Sequence, residues 1–154
     1  MDEVQPRPLR ERRAAAVEHL RSNDNLWFAT ASDGQGPHLI PVSYSWDGTR
    51  LTTATFENSR TLKNVRAQPK VRVAVGSAGD VLIVDATATI VPVSDIDPAA
   101  ADGYAQAAGN DPRSVPGFTY IQLEPDRMLV WRGPREFAGR TVMRHGVWLD
   151  EPID

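Results

Sequence analysis

The sequence contains no cysteine and only two lysines, Lys63 and Lys70. The lack of cysteine excludes disulfide bonds, thiolate catalysis, iron–sulfur clusters and cysteine-ligated zinc. No apolar run approaches the roughly 20 residues that a transmembrane helix needs. Residues 1–13 are charged and do not resemble a signal peptide. From these absences we predict a cytoplasmic protein.

Motifs for metal binding and nucleophilic catalysis are also missing. The three histidines, His19, His38 and His145, are far apart and show no His-x-x-x-His spacing, so no metal site is predicted. We expect His19 on the surface of a helix and His145 in a turn. No Gly-x-Ser-x-Gly elbow occurs. Gly34 and Gly36 lack the third glycine and the following helix of a dinucleotide-binding motif. We therefore predict no catalytic side chain.

The composition is that of one ordinary globular domain. The 154 residues are 41% hydrophobic and 24% charged, which is enough to bury a real core. A net charge of −3 gives no general attraction to nucleic acid or to an anionic membrane. No internal repeat or interdomain linker is visible. We expect a single domain over residues 1–154, with an N-terminal helix in residues 1–23 and a C-terminal tail in residues 132–154.

Strand patterns dominate the middle of the chain. In residues 38–46 the side chains alternate with period two, and the following Asp47-Gly48 pair predicts a tight turn. Strands that are neighbours in sequence favour antiparallel pairing, and closing them into a barrel removes exposed edges. The predicted strand runs are residues 25–32, 38–46, 50–56, 70–75, 81–90 and 118–131, the last broken near residues 124–126.

Three helices are predicted beside these strands. The first covers residues 8–21, with Arg10, Arg12 and other charged residues on its outer side. The second is capped by Asn58 or Ser59 and runs to Ala67, before Pro69. The third is capped by Ser94 in a Ser-x-x-Asp arrangement and ends at Gly109.

The second helix is short and basic. Leu62 and Val65 share one side and are predicted to face the core, while Arg60, Lys63 and Arg66 fall on the adjoining side. No acidic residue occurs between positions 57 and 80. A helix N-terminus favours anions through its free N–H groups and its dipole, so a phosphate site is physically reasonable here. The alternative interpretation is an exposed, solvated basic face.

Residues 36–42, the Asp47-Gly48 turn and residues 58–69 resemble the pyridoxamine-5'-phosphate-oxidase-like, FMN-binding split-barrel family. Within it they are most similar to the small flavin- or deazaflavin-dependent oxidoreductases of actinobacteria, and the likeness is best over residues 20–91. The resemblance implies a mainly β fold with inserted helices, a six-stranded antiparallel split β-barrel that forms a homodimer. Apolar residues on both faces of several predicted strands also favour a dimer.

The resemblance also implies where a cofactor would bind. In this family the tricyclic ring lies against the paired strands, and the phosphate is held at the start of the basic helix. On this basis Ser59, Arg60 and Lys63 hold the phosphate, and Val42 and Ser43 lie under the ring. The full set of implied cofactor-binding residues is Val42, Ser43, Thr55, Ser59, Arg60, Thr61 and Lys63.

The sequence leaves two cofactors open, F-420 and FMN. Pyridoxal-phosphate-forming oxidases usually have Arg and Lys where this chain has Leu39 and Tyr44, and the family often has Lys at the position of Thr61. Fewer cations favour the phosphodiester of the deazaflavin F-420 over the dianionic phosphate of FMN. The glutamate tail of F-420 would then reach Arg66 or Arg72. The implied activity is hydride transfer between F-420 or FMN and a small unsaturated substrate.

Two other functions fit parts of the pattern. A protein that stores or carries the cofactor without turnover would need the same residues. A small nucleic-acid-binding barrel would use Arg60, Lys63, Arg66 and Arg72, but the net charge is negative and no aromatic residues alternate with these cations. Trp131, beside Arg132 after a predicted strand, is a candidate for stacking on a ligand ring.

Overall fold

The computed structural model describes residues 4–154. This part of the chain contains three α-helices, two 3₁₀ turns and nine strands. The helices are α1 (Leu9–Ser22), α2 (Arg60–Ala67) and α3 (Pro98–Ala108), and the 3₁₀ turns are Pro112–Ser114 and Pro134–Glu136. The strands are β1 (Asn25–Ser32), β2 (Gly36–Ser43), β3 (Ser45–Trp46), β4 (Leu51–Phe56), β5 (Lys70–Ser77), β6 (Asp80–Val91), β7 (Phe118–Trp131), β8 (Thr141–Arg144) and β9 (Val147–Trp148).

All nine strands belong to one antiparallel sheet. Its order is β2-β1-β5-β6-β7-β4-β3, and β8 and β9 extend it from the second half of β7. β2 and β3 are consecutive in the chain but lie at opposite ends of this order, so the sheet has to curl until its two ends meet. At that seam the Thr53 hydroxyl in β4 donates a hydrogen bond of 2.8 Å to the carbonyl of Ser43 in β2. The result is the antiparallel split barrel that the sequence predicts.

The six predicted strand runs are all present, but their number and limits differ. The run over residues 38–46 divides at the buried Tyr44, which lies between β2 and β3 and donates its backbone N–H to the carbonyl of Asp24. The run over residues 118–131 is one strand, with a bulge opposite Asp85 and Ala86 where Asp126 is left unpaired. The tail from residue 132, for which no strand was predicted, adds β8 and β9.

Helix α2 packs on the barrel as its periodicity predicts. Leu62 and Val65 are buried in the main hydrophobic core. Asn64 is buried beside them, and its side chain accepts a hydrogen bond from the Ser32 hydroxyl (2.8 Å) and donates one to the Thr30 hydroxyl (3.1 Å). A buried amide needs such partners, so Asn64 fixes the position of α2 on β1.

The predicted cap of the third helix is wrong. Asp97, not Ser94, caps α3, and its carboxylate accepts a hydrogen bond from the backbone N–H of Ala100 at 3.3 Å. Pro98 follows the cap directly, and proline suits the first helical position because its φ is already helical and it has no N–H to satisfy. The predicted end is confirmed, since Gly109 adopts a left-handed conformation there with φ of 73°.

Two residues of α1 that were predicted on its outer side make long-range contacts instead. Arg12 is buried, and its guanidinium donates hydrogen bonds to the carbonyls of Glu136 and Ala138 in the tail (2.8 and 2.9 Å). The imidazole Nε2 of His19 lies 3.1 Å from the carboxylate of Asp80. Both predictions were wrong because α1 packs against the tail and against the start of β6, and helical periodicity carries no information about these partners.

A second contact between the N-terminal segment and the tail centres on Glu136. The guanidinium of Arg7 donates two hydrogen bonds to this carboxylate (2.8 and 2.7 Å), and the backbone N–H of Arg132 donates a third (2.7 Å). Glu136 is buried. The hydrogen bonds from Arg7, the largest favourable cause, lower the pKa of Glu136 to about 2 despite its burial.

We expect Glu136→Gln to reduce the free energy of unfolding in a pH-dependent way. Because the pKa of Glu136 in the folded state lies below its unfolded value, its stabilisation is complete above about pH 4.5 and is lost as the pH falls toward 2. After allowance for solvent screening, the loss at pH 7 should be about 1–3 kcal/mol, shrinking below pH 4.5. Urea unfolding at several pH values measures it.

Glu18→Gln, at an exposed position of α1, is the control and should change stability little at any pH. A stability difference for Glu136→Gln that stays constant from pH 7 to about pH 2.5 would contradict the assigned ion pair.

Candidate functional site

The end of β4 and the start of α2 form the centre of the predicted site. Ser59 is the N-cap of α2, and its hydroxyl oxygen accepts a hydrogen bond from the backbone N–H of Leu62 at 3.1 Å. The same oxygen accepts a second hydrogen bond from the Thr55 hydroxyl at 2.9 Å. A serine hydroxyl has two acceptor positions and one donor proton. Both acceptor positions are used here, so the Ser59 proton remains available to an anion.

The first turn of α2 adds further donors. An α-helix leaves its first backbone N–H groups without intrahelical partners, and no hydrogen bond described for residues 4–154 uses those of Arg60 or Thr61. The Thr61 side chain is only 1% exposed, and its hydroxyl is buried without a partner. The first turn contains no acidic residue. This end of the helix therefore presents donors to an anion.

Two cations flank these donors. Arg60 is exposed, and its guanidinium donates a hydrogen bond to the carbonyl of Gln35 in the turn between β1 and β2. Lys63 is exposed one turn further along α2. Among residues 4–154, no ion pair is found for either side chain. Both charges are therefore available to a ligand at the start of the helix.

The two residues predicted beneath the ring lie at the end of β2. Val42 is half-buried and packs against the core, and Ser43 is half-buried with its carbonyl bound to Thr53. Thr53 and Thr55 are two residues apart, so they lie on the same side of β4. Through β4, hydrogen bonds thus connect Ser43 at the seam of the barrel to Ser59 at the cap of α2.

Three residues that support this arrangement were not identified from the sequence. Thr53 joins β4 to β2, Asn64 holds α2 on β1, and Gln35 supplies the carbonyl that Arg60 binds. Helical periodicity does not place Asn64 beside Leu62, because residues two apart lie about 200° apart around a helix. Asn64 shares its side with the buried Thr61, three residues before it. Nothing in the sequence around Gln35 predicts its contact with Arg60, because that contact depends on how the β1–β2 turn approaches α2.

Arg72 and Trp131, the two further residues predicted to contact a ligand, have other partners in the structure. The carboxylate of Asp85 binds Arg72 at 2.6 Å and Arg127 at 3.0 Å, so Arg72 does not continue the row of free cations. Trp131 packs edge-on against Phe137 with 6.3 Å between ring centroids. It stands at the opposite end of β7 from Phe118, the residue that pairs with the end of β4, so within one chain it is remote from the start of α2.

Residues 4–154 lack two other kinds of functional feature. No cluster of three or more histidine, aspartate and glutamate side chains is arranged to hold a metal ion. No helix in this part of the chain is long and apolar enough to cross a membrane.

Solved structures of other proteins have the same kind of fold. Three solved structures have similar folds: General Stress Protein 26 from Bacillus anthracis, an F-420 reductase, and a pyridoxamine 5'-phosphate oxidase-related, FMN binding protein from Nostoc punctiforme. They are 16%, 20% and 15% identical, with TM-scores of 0.63, 0.59 and 0.55. The matches cover 76%, 72% and 84% of this chain and 91%, 94% and 87% of those chains, respectively.

At such low identity these structures establish the fold alone. No protein with curated annotation matches the sequence. The sequence model of the family described as pyridoxamine 5'-phosphate oxidase, however, matches residues 13–132, well over half of the chain. The chain therefore belongs to the pyridoxamine 5'-phosphate oxidase family.

Proposed function

We propose that this protein is an oxidoreductase that transfers hydride between bound F-420 or FMN and a small unsaturated substrate. The observation that carries the proposal is the cap of α2, where Ser59 keeps a free donor proton beside two unpaired backbone N–H groups. Such a set of donors fits a phosphate. The similar structures include proteins named as an F-420 reductase and as FMN binding, which supports a cofactor of this kind.

The proposed roles follow from the positions of the residues. Ser59 donates its hydroxyl proton to the phosphate, and the backbone N–H groups of Arg60 and Thr61 donate beside it. The exposed guanidinium of Arg60 exchanges the Gln35 carbonyl for a phosphate oxygen, and Lys63 adds a second charge. Thr55 contributes indirectly, because its hydroxyl holds the Ser59 oxygen in position.

The cofactor supplies the hydride chemistry, so the chain needs no acid, base or nucleophile of its own. Val42 and Ser43 support the ring and offer backbone groups to its polar edge. The Ser43 carbonyl is held by Thr53, so this part of the strand is fixed before a ligand arrives. A preformed support of this kind positions the ring for transfer and excludes water from one side of it.

The available cations favour F-420 over FMN. Among residues 4–154, Arg60 and Lys63 at the start of α2 form no ion pair, and Thr61 stands where the family often has a further cation. A site with fewer cations than is usual in the family suits the phosphodiester of F-420 better than the dianionic phosphate of FMN. For the glutamate tail of F-420, Arg66 is the better of the two predicted partners, since Arg72 is already bound by Asp85.

We expect Arg60→Ala to weaken the binding of F-420 or FMN roughly tenfold to a hundredfold. A guanidinium can make two parallel hydrogen bonds to a phosphate, and a charge-assisted hydrogen bond contributes about 1.5–3 kcal/mol. The dissociation constants can be measured by cofactor fluorescence. The melting temperature without cofactor should change little, because Arg60 is exposed and the buried side of α2 is untouched.

Arg10→Ala is the matched control, since Arg10 is an exposed arginine on α1. Its cofactor affinity should equal that of the parent. If Arg60→Ala also binds both cofactors as well as the parent does, the phosphate is held elsewhere. If the parent binds cofactor tightly but exchanges no hydride with any unsaturated substrate, the protein is a carrier or storage protein.

We also propose that the protein works as a homodimer. The outer face of β1 and β2 carries two large exposed apolar side chains, Trp27 (50% exposed) and Leu39 (59% exposed). In the strand register Trp27 lies opposite Pro41, and Leu39 lies opposite Ala29, so the face is apolar across both strands. It continues along β2 to the proposed ring support. A second copy of the chain would cover this face and close the site beside it.

Light scattering of the parent at micromolar concentration should give about twice the monomer mass of 16.9 kDa. The double variant Trp27→Arg with Leu39→Arg should give the monomer mass, because burying two charges at an interface is costly. Val147→Arg, at an exposed valine of β9, is the control and should leave the mass unchanged. A parent that is monomeric would contradict the proposal.

A further inference from the structure

A cavity lies at the other end of β4 from the proposed cofactor site. It has a volume of about 440 Å³ and is bounded by the β3–β4 turn, the bulge of β7 and the β8–β9 turn. Four of its lining side chains are tryptophan or methionine, and two are carboxylates. These six residues are Trp46, Trp148, Met128, Met143, Glu124 and Asp126.

The aromatic walls are held in place by α1. The guanidinium of Arg21 lies over the ring of Trp46 at 5.9 Å from its centroid, and that of Arg13 lies over the ring of Trp148 at 5.8 Å. Arg13 also donates to the carbonyl of Leu149 (2.8 Å), beside Trp148. These contacts orient both indoles independently of any ligand.

The methionines of the cavity and the β8–β9 turn are also held in position by the fold. Met128 and Met143 are buried and lie opposite each other on β7 and β8. The β8–β9 turn contains His145 with a positive φ of 53°, and the next backbone N–H, of Gly146, donates to the carbonyl of Asp126 at 2.8 Å. The cavity is thus built from residues whose positions are set by the fold.

The two side chains of the lining that are charged at neutral pH, Glu124 and Asp126, are both negative. Glu124 and Asp126 flank the buried Pro125 at the bulge, and both are exposed. In the described part of the chain, neither carboxylate takes part in an ion pair or accepts a side-chain hydrogen bond. The lining contains no lysine or arginine. Two unpaired carboxylates therefore stand at a cavity with aromatic and thioether walls.

We propose that this cavity binds an organic cation, an amine or quaternary ammonium group attached to an apolar body. The two indoles and the two thioethers supply an aromatic and apolar surface for the organic body of such a ligand. The carboxylates of Glu124 and Asp126 supply the countercharge. Pockets with apolar walls and a few polar groups are the usual form of small-molecule sites in proteins.

This site is separate from the proposed cofactor site. Thr49 precedes β4 and Thr55 lies near its end, a separation of about 20 Å along an extended strand. The two sites share no residue. Binding of a cation here can therefore be tested without cofactor, and it stands or falls independently of the proposed function.

Methionine methyl NMR provides a direct test. The chain has three methionines, and two of them, Met128 and Met143, line the cavity. We expect benzylamine, which is protonated at pH 7, to shift the methyl signals of Met128 and Met143. Benzyl alcohol, a neutral probe of the same size, should need at least about fivefold higher concentration, because it lacks the charge. Met143→Leu assigns the signals.

The variant Glu124→Gln with Asp126→Asn removes both charges but keeps the shape. It should weaken benzylamine binding about tenfold and leave benzyl alcohol unchanged. Glu18→Gln with Asp33→Asn removes two exposed carboxylates elsewhere and is the control. The proposal is overturned if both probes bind the parent equally, if benzylamine causes no shift up to about 10 mM, or if the cavity variant binds it like the parent.

Discussion

The backbone at Tyr44 determines how this sheet closes. Tyr44 is fully buried, its hydroxyl donates to the carbonyl of Leu20 at the end of α1 (2.9 Å), and its N–H donates to the carbonyl of Asp24 (3.0 Å). Burial raises the pKa of the hydroxyl, so it remains a donor at all ordinary pH values. These two contacts hold Tyr44 at the α1–β1 connection, and the next two residues pair with β4 as β3. The chain therefore links the two ends of the sheet at this point.

This closure also positions the candidate site. The seam places the Ser43 carbonyl within reach of Thr53, and the next residue on the same side of β4 is Thr55, which binds the cap of α2. One strand, β4, therefore sets the distance between the proposed ring support and the proposed phosphate site. Asn64 holds the other side of α2 against β1, so the helix start cannot move without disturbing two strands.

The parts of the structure that local patterns determine could be predicted from the sequence. Alternation of side chains found the six strand runs, and the Ser59 cap with Leu62 and Val65 found α2 and its buried side. The errors at Arg12 and His19 have a different physical origin. Their partners, Glu136 and Asp80, are distant in sequence, and a helix of 14 residues does not reveal which tail will pack on it.

The function of the basic residues in positions 60–72 could likewise not be predicted from local sequence. The charges alone do not distinguish an anion-binding site from an exposed, solvated surface. Which cations are neutralised by carboxylates depends on the strand register. That register places Arg72 opposite Asp85, and Asp85 opposite Arg127, so one carboxylate balances the cations of two strands. At the start of α2, no carboxylate within residues 4–154 forms an ion pair with Arg60, and the first turn of the helix contains no acidic residue. The exposed charges of Arg60 and Lys63 therefore lie beside the N–H groups of the first helical turn, and both kinds of group attract an anion.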